Sequence, residues 1–335
     1  SATFRTVDVV GLDTLVHVAN GLYENCPQDE AHELFKLPSF VQHLLDNKWL
    51  GSKTKQGFYK KVDKDILSFD LDTLEYRAAK KASFQTLELT KTIDKVVDRF
   101  KVLVKGKDKA GEFYRKSFAG LFAYVSNRVP EITDDLYKID DAMKAGFGWE
   151  HGPFQIWDAI GVEKALEFMN ELGEKPAAWV QEMLDSGNKS FYTVKEGANY
   201  YYDIASKTQK KIPGQDAFII LDNIRETKKV WGNSDVTLHD IGDGILNLEF
   251  HSKMNSIGGG VISGINKAID IAEQKYDGLV IGNQGANFSV GANLGMIFMM
   301  AVEQEYDELN FSIKAFQDTM MRVRYSGIPV IAAPH

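Results

Sequence analysis

The chain has 335 residues, of which 44% are hydrophobic, 26% charged and 11% aromatic. That is the composition of an ordinary globular protein, with length for roughly two domains. Its net charge is −8, from 39 basic and 47 acidic side chains, and both 1–235 and 236–335 are acidic. Neither part has the basic excess that phosphate-backbone binding requires, so no nucleic-acid partner is expected. Cys26 is the single cysteine and cannot form an internal disulfide. No apolar run approaches the roughly 20 residues needed to span a bilayer, and Ser1-Ala2-Thr3-Phe4-Arg5 does not read as a signal peptide. A soluble, cytoplasmic protein without a membrane span is expected.

The first two-thirds read as helices. Within 77–105, Ile93, Val97, Phe100 and Val104 recur at helical spacing ahead of Gly106. The densest basic stretch, 101–109, lies at that helix end, where cations complement the macrodipole and a solvated terminus accounts for them. Phe113, Phe118, Leu121, Phe122 and Val125 form another helical face before Pro130. Ile132, Leu136, Ile139 and Met143 step by four, three and four, and stop at Gly146 and Gly148. A Lys-Ile-Pro-Gly stretch at 211–214 has linker composition. Beyond it the pattern changes. Strand-like runs at 218–221, 245–250, 278–281 and 328–333 alternate with helical patterns at 257–275, 292–302 and 307–325. Such alternation predicts crossover units and an α/β domain.

An internal repeat is present in the helical part. Asp8-Val9-Val10-Gly11-Leu12-Asp13 echoes Asp158-Ala159-Ile160-Gly161-Val162-Glu163, and FVQHLLD at 40–46 echoes WVQEMLD at 179–185. Each copy ends in an aromatic tail, Gly57-Phe58-Tyr59 and Gly197-Ala198-Asn199-Tyr200. The helical stretch 112–149 precedes only the second copy, which predicts that the first begins before Ser1. The run at 328–333 reads as a buried parallel strand, which needs a following element to cover it. The expectation is a piece of a longer chain, cut inside a domain at both ends.

Several motifs carry no cofactor. Gly258-Gly259-Gly260-Val261-Ile262-Ser263 approaches a dinucleotide fingerprint but has serine in place of the last glycine and lacks the preceding strand, so a packing role is predicted. Gly106-x4-Gly111 is followed by Glu112, where a phosphate loop needs lysine. The seven histidines show no HExxH or His-x-His spacing, and one cysteine cannot supply a zinc set. Neither a nicotinamide site nor a metal site is expected within these residues.

The cluster Gly285-Ala286-Asn287-Phe288-Ser289-Val290-Gly291-Ala292-Asn293-Leu294 follows a strand-like run and opens a helical one. Small residues there let backbone approach a ligand, and the first amides of a helix lack intrahelical partners. Such amides can hold an oxyanion. A glycine-rich turn with no ligand has the same spacing.

This cluster resembles the FxxGAD signature of the crotonase (enoyl-CoA hydratase/isomerase) superfamily. Upstream, 245–250 and Lys253-Met254-Asn255-Ser256-Ile257 resemble that family's strand and CoA-binding loop. Downstream, 326–333 resembles its strand before the second oxyanion turn. The resemblance implies that Ala292 supplies one oxyanion N–H to a thioester carbonyl, and that Lys253, Met254, Asn255, Val290 and Gly291 bind CoA. Asn293 stands where the family has aspartate. The second oxyanion donor and both catalytic glutamates would lie beyond His335.

The helical part resembles the C-terminal domain of 3-hydroxyacyl-CoA dehydrogenases. In the first copy the likeness lies in Asp8–Asp13 and in LGSKTKQGFY at 50–59, usually written LGxKTGxGFY. In the second it lies in Ser126-Asn127-Arg128-Val129, 139–148 and His151-Gly152-Pro153-Phe154. Asn127 occupies the place of a catalytic asparagine, and a structural role is expected in a degenerate second copy. The NAD domain, with its catalytic histidine and glutamate, would precede Ser1.

Together these resemblances imply an α plus α/β chain. Two all-helical dehydrogenase-type repeats, 1–76 (the tail of the first) and 77–214, precede an incomplete crotonase-like ββα domain at 215–335. The parent would be a bifunctional enzyme of fatty-acid β-oxidation, an oxidoreductase and a lyase. It would hydrate trans-2-enoyl-CoA and oxidise 3-hydroxyacyl-CoA with NAD, as a homodimer through its helical domains and with a thiolase as a further partner. These 335 residues would themselves be inactive. A helical scaffold with a crotonase-like packing module is the competing reading.

Overall fold

A computed structural model describes residues 3–80, 82–285 and 287–334. The chain divides into two units, Ser1–Phe84 and Gln85–His335.

The first unit contains α1 (Thr3–Val10), α2 (Leu12–Asn25), α3 (Ser39–Asp46), β1 (Tyr59–Val62), β2 (Asp65–Phe69) and β3 (Tyr76–Ala78). The strands form an antiparallel sheet in the order β1-β2-β3. Leu12, Val41, Leu44, Phe58 and Phe69 form its core. Buried Asp8, in the last turn of α1, accepts the N–H groups of Phe58 and Tyr59, both at 2.8 Å. It thereby fixes where β1 begins. The approach demands glycine: a Cβ on Gly57 would lie 2.2 Å from Asp8 Oδ1, and Gly51, at φ +101°, packs against the Asp8 backbone.

The second unit opens with α4 (Gln85–Thr90), α5 (Val96–Lys105), α6 (Lys109–Asn127), α7 (Leu136–Phe147), α8 (Pro153–Ile160), α9 (Val162–Leu172) and α10 (Ala178–Asp185). A sheet follows, of β4 (Tyr192–Lys195), β5 (Ala198–Asp203) and β6 (Thr208–Lys211). Phe122, Phe154, Trp157, Met169, Met183 and Phe191 are buried in one cluster, where the Phe122 and Trp157 rings stack at 4.6 Å. Asp158 accepts from the backbone N–H groups of Phe191 and Tyr192 at 2.8 and 2.9 Å. This is the same construction as that of Asp8. Asp140 holds the N-terminus of α8, accepting from Phe154 and Gln155, and also receives the Tyr192 hydroxyl at 2.7 Å.

These parts are not all-helical, as the repeat pattern had led us to expect. Each carries a three-stranded antiparallel sheet that adds residues to its core, Phe69 in the first and Tyr201 and Tyr202 in the second. The Asp158 bonds also pair Phe58-Tyr59 with Phe191-Tyr192, so the 197–200 segment is a hairpin turn and strand instead of the matching tail. Within 77–105 the expected helical spacing is carried by α5, which takes in Val97, Phe100 and Val104 and leaves Ile93 outside, after β3 and α4. Ile132 lies outside α7, exposed, while Gly148 ends α7 in the left-handed region as expected.

The rest of the second unit contains α11 (Leu221–Ile224), β7 (Lys229–Gly232), β8 (Val236–Gly242), β9 (Ile245–Phe250), α12 (Gly259–Lys275), β10 (Gly278–Ile281), α13 (Leu294–Val302), α14 (Tyr306–Arg324) and β11 (Val330–Ala332). The sheet order is β11-β10-β9-β8-β7, with β9, β10 and β11 parallel and β7, β8 and β9 antiparallel. Leu238, Leu246 and Leu248 share a buried cluster with Val261, Ile265, Ala268 and Ile269 of α12. Helix and sheet meet closely: a Cβ on Gly264 would lie 2.4 Å from Val236 Cγ2. The run at 218–221 is no strand; it leads into α11, while β7 and β8 were not expected. Among the described residues no helix is long and apolar enough to cross a membrane.

Replacing Asp8 by alanine leaves two N–H groups at a buried junction without their acceptor. A loss of about 2–4 kcal/mol is expected at roughly 1–2 kcal/mol per orphaned group. Urea unfolding followed by probes in the first unit measures it.

Burial pushes Asp140 up to about 6 and Asp158 up to about 7, against an ordinary 3.8 and despite the hydrogen bonds each accepts. Between those values the folded chain keeps protons that the unfolded chain releases. Their contribution to stability is therefore fully present below about pH 4 and lost as pH rises through 6 to 7. Urea midpoints measured from pH 5 to 8 should fall with rising pH, and the Asp140→Asn/Asp158→Asn double variant should flatten that slope.

Candidate functional site

The chain leaving β10 passes the ends of β9 and α12 before opening α13, and side-chain amides fix its course. Buried Asn283 accepts the Phe250 N–H at 2.5 Å and donates to the Phe288 carbonyl at 2.7 Å. Asn255 donates through Nδ2 to the Asn287 carbonyl at 2.8 Å. Ile257 donates its N–H to the Gly291 carbonyl at 2.9 Å, and Ile257 and Ala292 form an isolated parallel bridge. Gly291 has φ +80°, the left-handed region that glycine enters without a Cβ penalty.

Ala292 therefore lies at a strand-to-helix turn, exposed, and with Gly291 it lines a cleft of about 660 Å³. The cleft walls are apolar, with Ile262 of α12, Met296 and Met300 of α13, and Leu309 and Phe316 of α14. An amide beside such a cleft can donate to a carbonyl oxygen whose apolar chain is shielded from water. Asn293 caps α13, its side-chain oxygen accepting from the Met296 N–H at 3.2 Å. A carboxylate could make the same bond, so amide and acid are equivalent in this role.

The other expected CoA residues are placed as follows. Lys253, Met254 and Asn255 form one short 3-10 turn, with Met254 and Asn255 at φ 55° and 53°. Met254 and Val290 are exposed. The structure joins Asn255 to the 287–291 segment and brings Gly291 and Ala292 to the cleft, whereas Lys253 and Met254 point no recorded bond toward it. Ala286 lies outside the described residues. Asn127 donates to the carbonyls of Ala123 and Lys175, tying α6 to the segment before α10.

Sequence reasoning missed the polar layer on the sheet face opposite the leucines. Arg225 reaches both Glu249 carboxylate oxygens, at 2.6 and 3.1 Å, and His239 Nε2 lies 3.1 Å from Glu249 Oε2. Burial alone would raise the Glu249 pKa; His239 and Arg225 outweigh it and hold the carboxyl at about 2. Gln284 accepts from the Leu221 N–H and donates to the Ile219 carbonyl, which pins the segment after β10 to the start of α11. The signal was present in ILNLEF, where Asn247 and Glu249 alternate with leucines, but alternation normally marks a solvated face.

Packing explains two of the four glycines at 258–264, whereas Gly258 and Gly259 have nothing within 4 Å of where a Cβ would stand. A Cβ on Gly260 would lie 2.0 Å from Asp235 Oδ2, and the Gly264 position is filled by Val236. The segment does not fit a dinucleotide pyrophosphate, because Gly260 faces the Asp235 carboxylate and Ser263 stands where the last glycine would be needed.

With this geometry in place, the chain can be set beside known proteins. Residues 1–61 and 121–201 match the family model described as 3-hydroxyacyl-CoA dehydrogenase, C-terminal domain. A Bacillus subtilis (strain 168) protein named as a probable 3-hydroxyacyl-CoA dehydrogenase is 44% identical over 335 residues, covering 100% of this chain and 42% of that protein. A Rickettsia felis protein with the provisional name of a fatty acid oxidation complex trifunctional enzyme is 24% identical, covering 98% of this chain and 42% of its own length. The chain thus spans about two-fifths of the length of these relatives. Among solved structures, an enoyl-CoA hydratase from Polaromonas sp. JS666 aligns over 30% of this chain and 40% of its own, at TM-score 0.28 and 24% identity.

If Asn293 acts as a helix cap, Asn293→Asp should leave stability within about 0.5 kcal/mol, while Asn293→Ala should cost about 1 kcal/mol. Thermal unfolding of both variants tests this.

Proposed function

We propose that the chain is part of a longer enzyme of fatty-acid β-oxidation that acts on acyl-CoA thioesters. In this reading 1–76 is the tail of a first dehydrogenase C-terminal domain, 77–214 is a second, degenerate copy, and 215–335 is the beginning of an enoyl-CoA hydratase domain. The observation that carries it is the match of one dehydrogenase domain model to both 1–61 and 121–201. The shared anchoring of an aromatic pair by Asp8 and by Asp158 supports two related copies. The names of the relatives support the pathway.

Ala292 at the rim of the apolar cleft supports the thioester assignment. Its N–H donates to the thioester oxygen and draws charge onto it as water adds to the enoyl carbon–carbon double bond. The cleft shields the acyl chain, while the turn at Lys253–Asn255 and the backbone at Val290 and Gly291 face the CoA moiety. NAD would accept the hydride in the parent's second reaction, and the glycine segment at 258–264 does not fit it. Homodimer contacts through the helical domains, and a thiolase as partner, complete the proposal.

Titration calorimetry with trans-2-octenoyl-CoA, crotonyl-CoA and NAD tests this reading. Millimolar binding of the octenoyl thioester is expected, with crotonyl-CoA at least about tenfold weaker, because each buried methylene contributes about 0.8 kcal/mol. No NAD binding and no turnover are expected. Equal affinity for the two thioesters, or hydration or NAD-linked oxidation by these residues alone, would overturn it.

A further inference from the structure

We infer that Ser289 is the positioning residue that aims the Ala292 N–H at the thioester carbonyl. The inference rests on the proposed acyl-CoA reading and adds a residue to it.

In a planar trans peptide the carbonyl and the N–H of one unit point in opposite directions. The unit joining Gly291 to Ala292 has its carbonyl held by the Ile257 N–H at 2.9 Å. The Ala292 N–H is therefore directed away from the start of α12, and no acceptor is recorded for it among the described residues. Whatever fixes the Gly291 carbonyl fixes the donor.

One bond to Ile257 does not fix a glycine. With φ +80° and no atom within 4 Å of where a Cβ would stand, Gly291 is free of side-chain packing that could hold its orientation. Ser289 supplies what packing does not. Its hydroxyl donates to the Asn255 carbonyl at 2.7 Å and accepts the Gly291 N–H at 3.0 Å, so both its hydrogen-bonding roles are used and its rotation is locked. Gly291 is then gripped at both ends, by Ser289 at its N–H and by Ile257 at its carbonyl. The peptide plane that carries the Ala292 N–H is set between them.

The Asn255 carbonyl is itself a firm reference. Asn255 sits in the left-handed region, its side chain donates to the Asn287 carbonyl, and its own N–H is bonded to the Ser252 carbonyl at 2.8 Å. Ser289 thus connects the turn at 253–255 to the oxyanion donor through a single hydroxyl. Alanine at 289 removes the link while leaving the Ile257 bond in place. Threonine keeps the hydroxyl.

The test reads the donor directly. The 335-residue chain, labelled with 15N-alanine, is titrated with millimolar trans-2-octenoyl-CoA and, separately, with the thioether analogue that lacks the carbonyl. A downfield shift of the Ala292 amide proton is expected with the thioester and not with the thioether. Ser289→Ala should bind octenoyl-CoA within threefold of the original affinity yet lose more than half of that shift, and Ser289→Thr should restore it. A Ser289→Ala variant that keeps the full shift overturns the role of Ser289 and leaves the acyl-CoA reading standing. Equal loss in both variants overturns it too, because the hydroxyl would not be the cause. No thioester binding, or binding without an Ala292 shift in the unsubstituted chain, overturns the acyl-CoA reading and this inference with it.

Discussion

A buried side-chain oxygen that accepts backbone N–H groups from a distant segment is the interaction on which these units depend. Asp8 does this for Phe58 and Tyr59, Asp158 for Phe191 and Tyr192, and Asn283 for Phe250. Each of these N–H groups lies where a segment passes between loop and strand, and it is received by the side chain instead of by a neighbouring strand. A buried N–H without an acceptor costs free energy comparable to a lost hydrogen bond. One carboxylate or amide removes that cost and fixes chain direction together. The glycines at 51 and 57 follow from it, since Asp8 leaves no room for a Cβ.

The sheet of the α/β part shows the same economy with charge. Its leucine face is covered by α12 through apolar contact. Its other face is buried and polar, with Glu249 neutralised by Arg225 from outside the sheet and met at 3.1 Å by His239 Nε2 from the neighbouring strand. Removing one partner of such a group strands a charge away from water, which is far more damaging than the pair is stabilising. The chain from 219 to 225 is thereby committed to this face, and through Gln284 it braces the segment that leads to Ala292.

The candidate site is built in that braced segment from backbone more than from side chains. Gly291 gives the turn, Asn293 starts the helix, and both line the cleft with Ala292 between them. The flanking side chains Asn255, Asn283 and Ser289 act on peptide groups. This explains how Asn293 can stand where the resembling family has aspartate: capping needs an oxygen, and an amide has one.

The sequence by itself determined β9, β10, α12 and α14, because ILNLEF, GLVI and the two helical patterns carry apolar spacing that only one period satisfies. It also determined the Gly148 stop and the small-residue turn at 285–294 that holds Ala292. The tertiary structure decided the rest. The hairpins β1–β3 and β4–β6 are short and charged, and they became sheets because a core and an aspartate at the end of a distant helix were there to receive them. The β8–β9 hairpin carried a local Asp243-Gly244 turn signal, but β8 begins Val236-Thr237-Leu238-His239-Asp240, and its buried Thr237 and His239 find their partners in His251 and Glu249. The partners of Ser289 lie two residues ahead and thirty-four residues behind. A spacing pattern reports what one element needs from water or from a core; which peptide a hydroxyl will hold depends on where two separate turns are brought together in space.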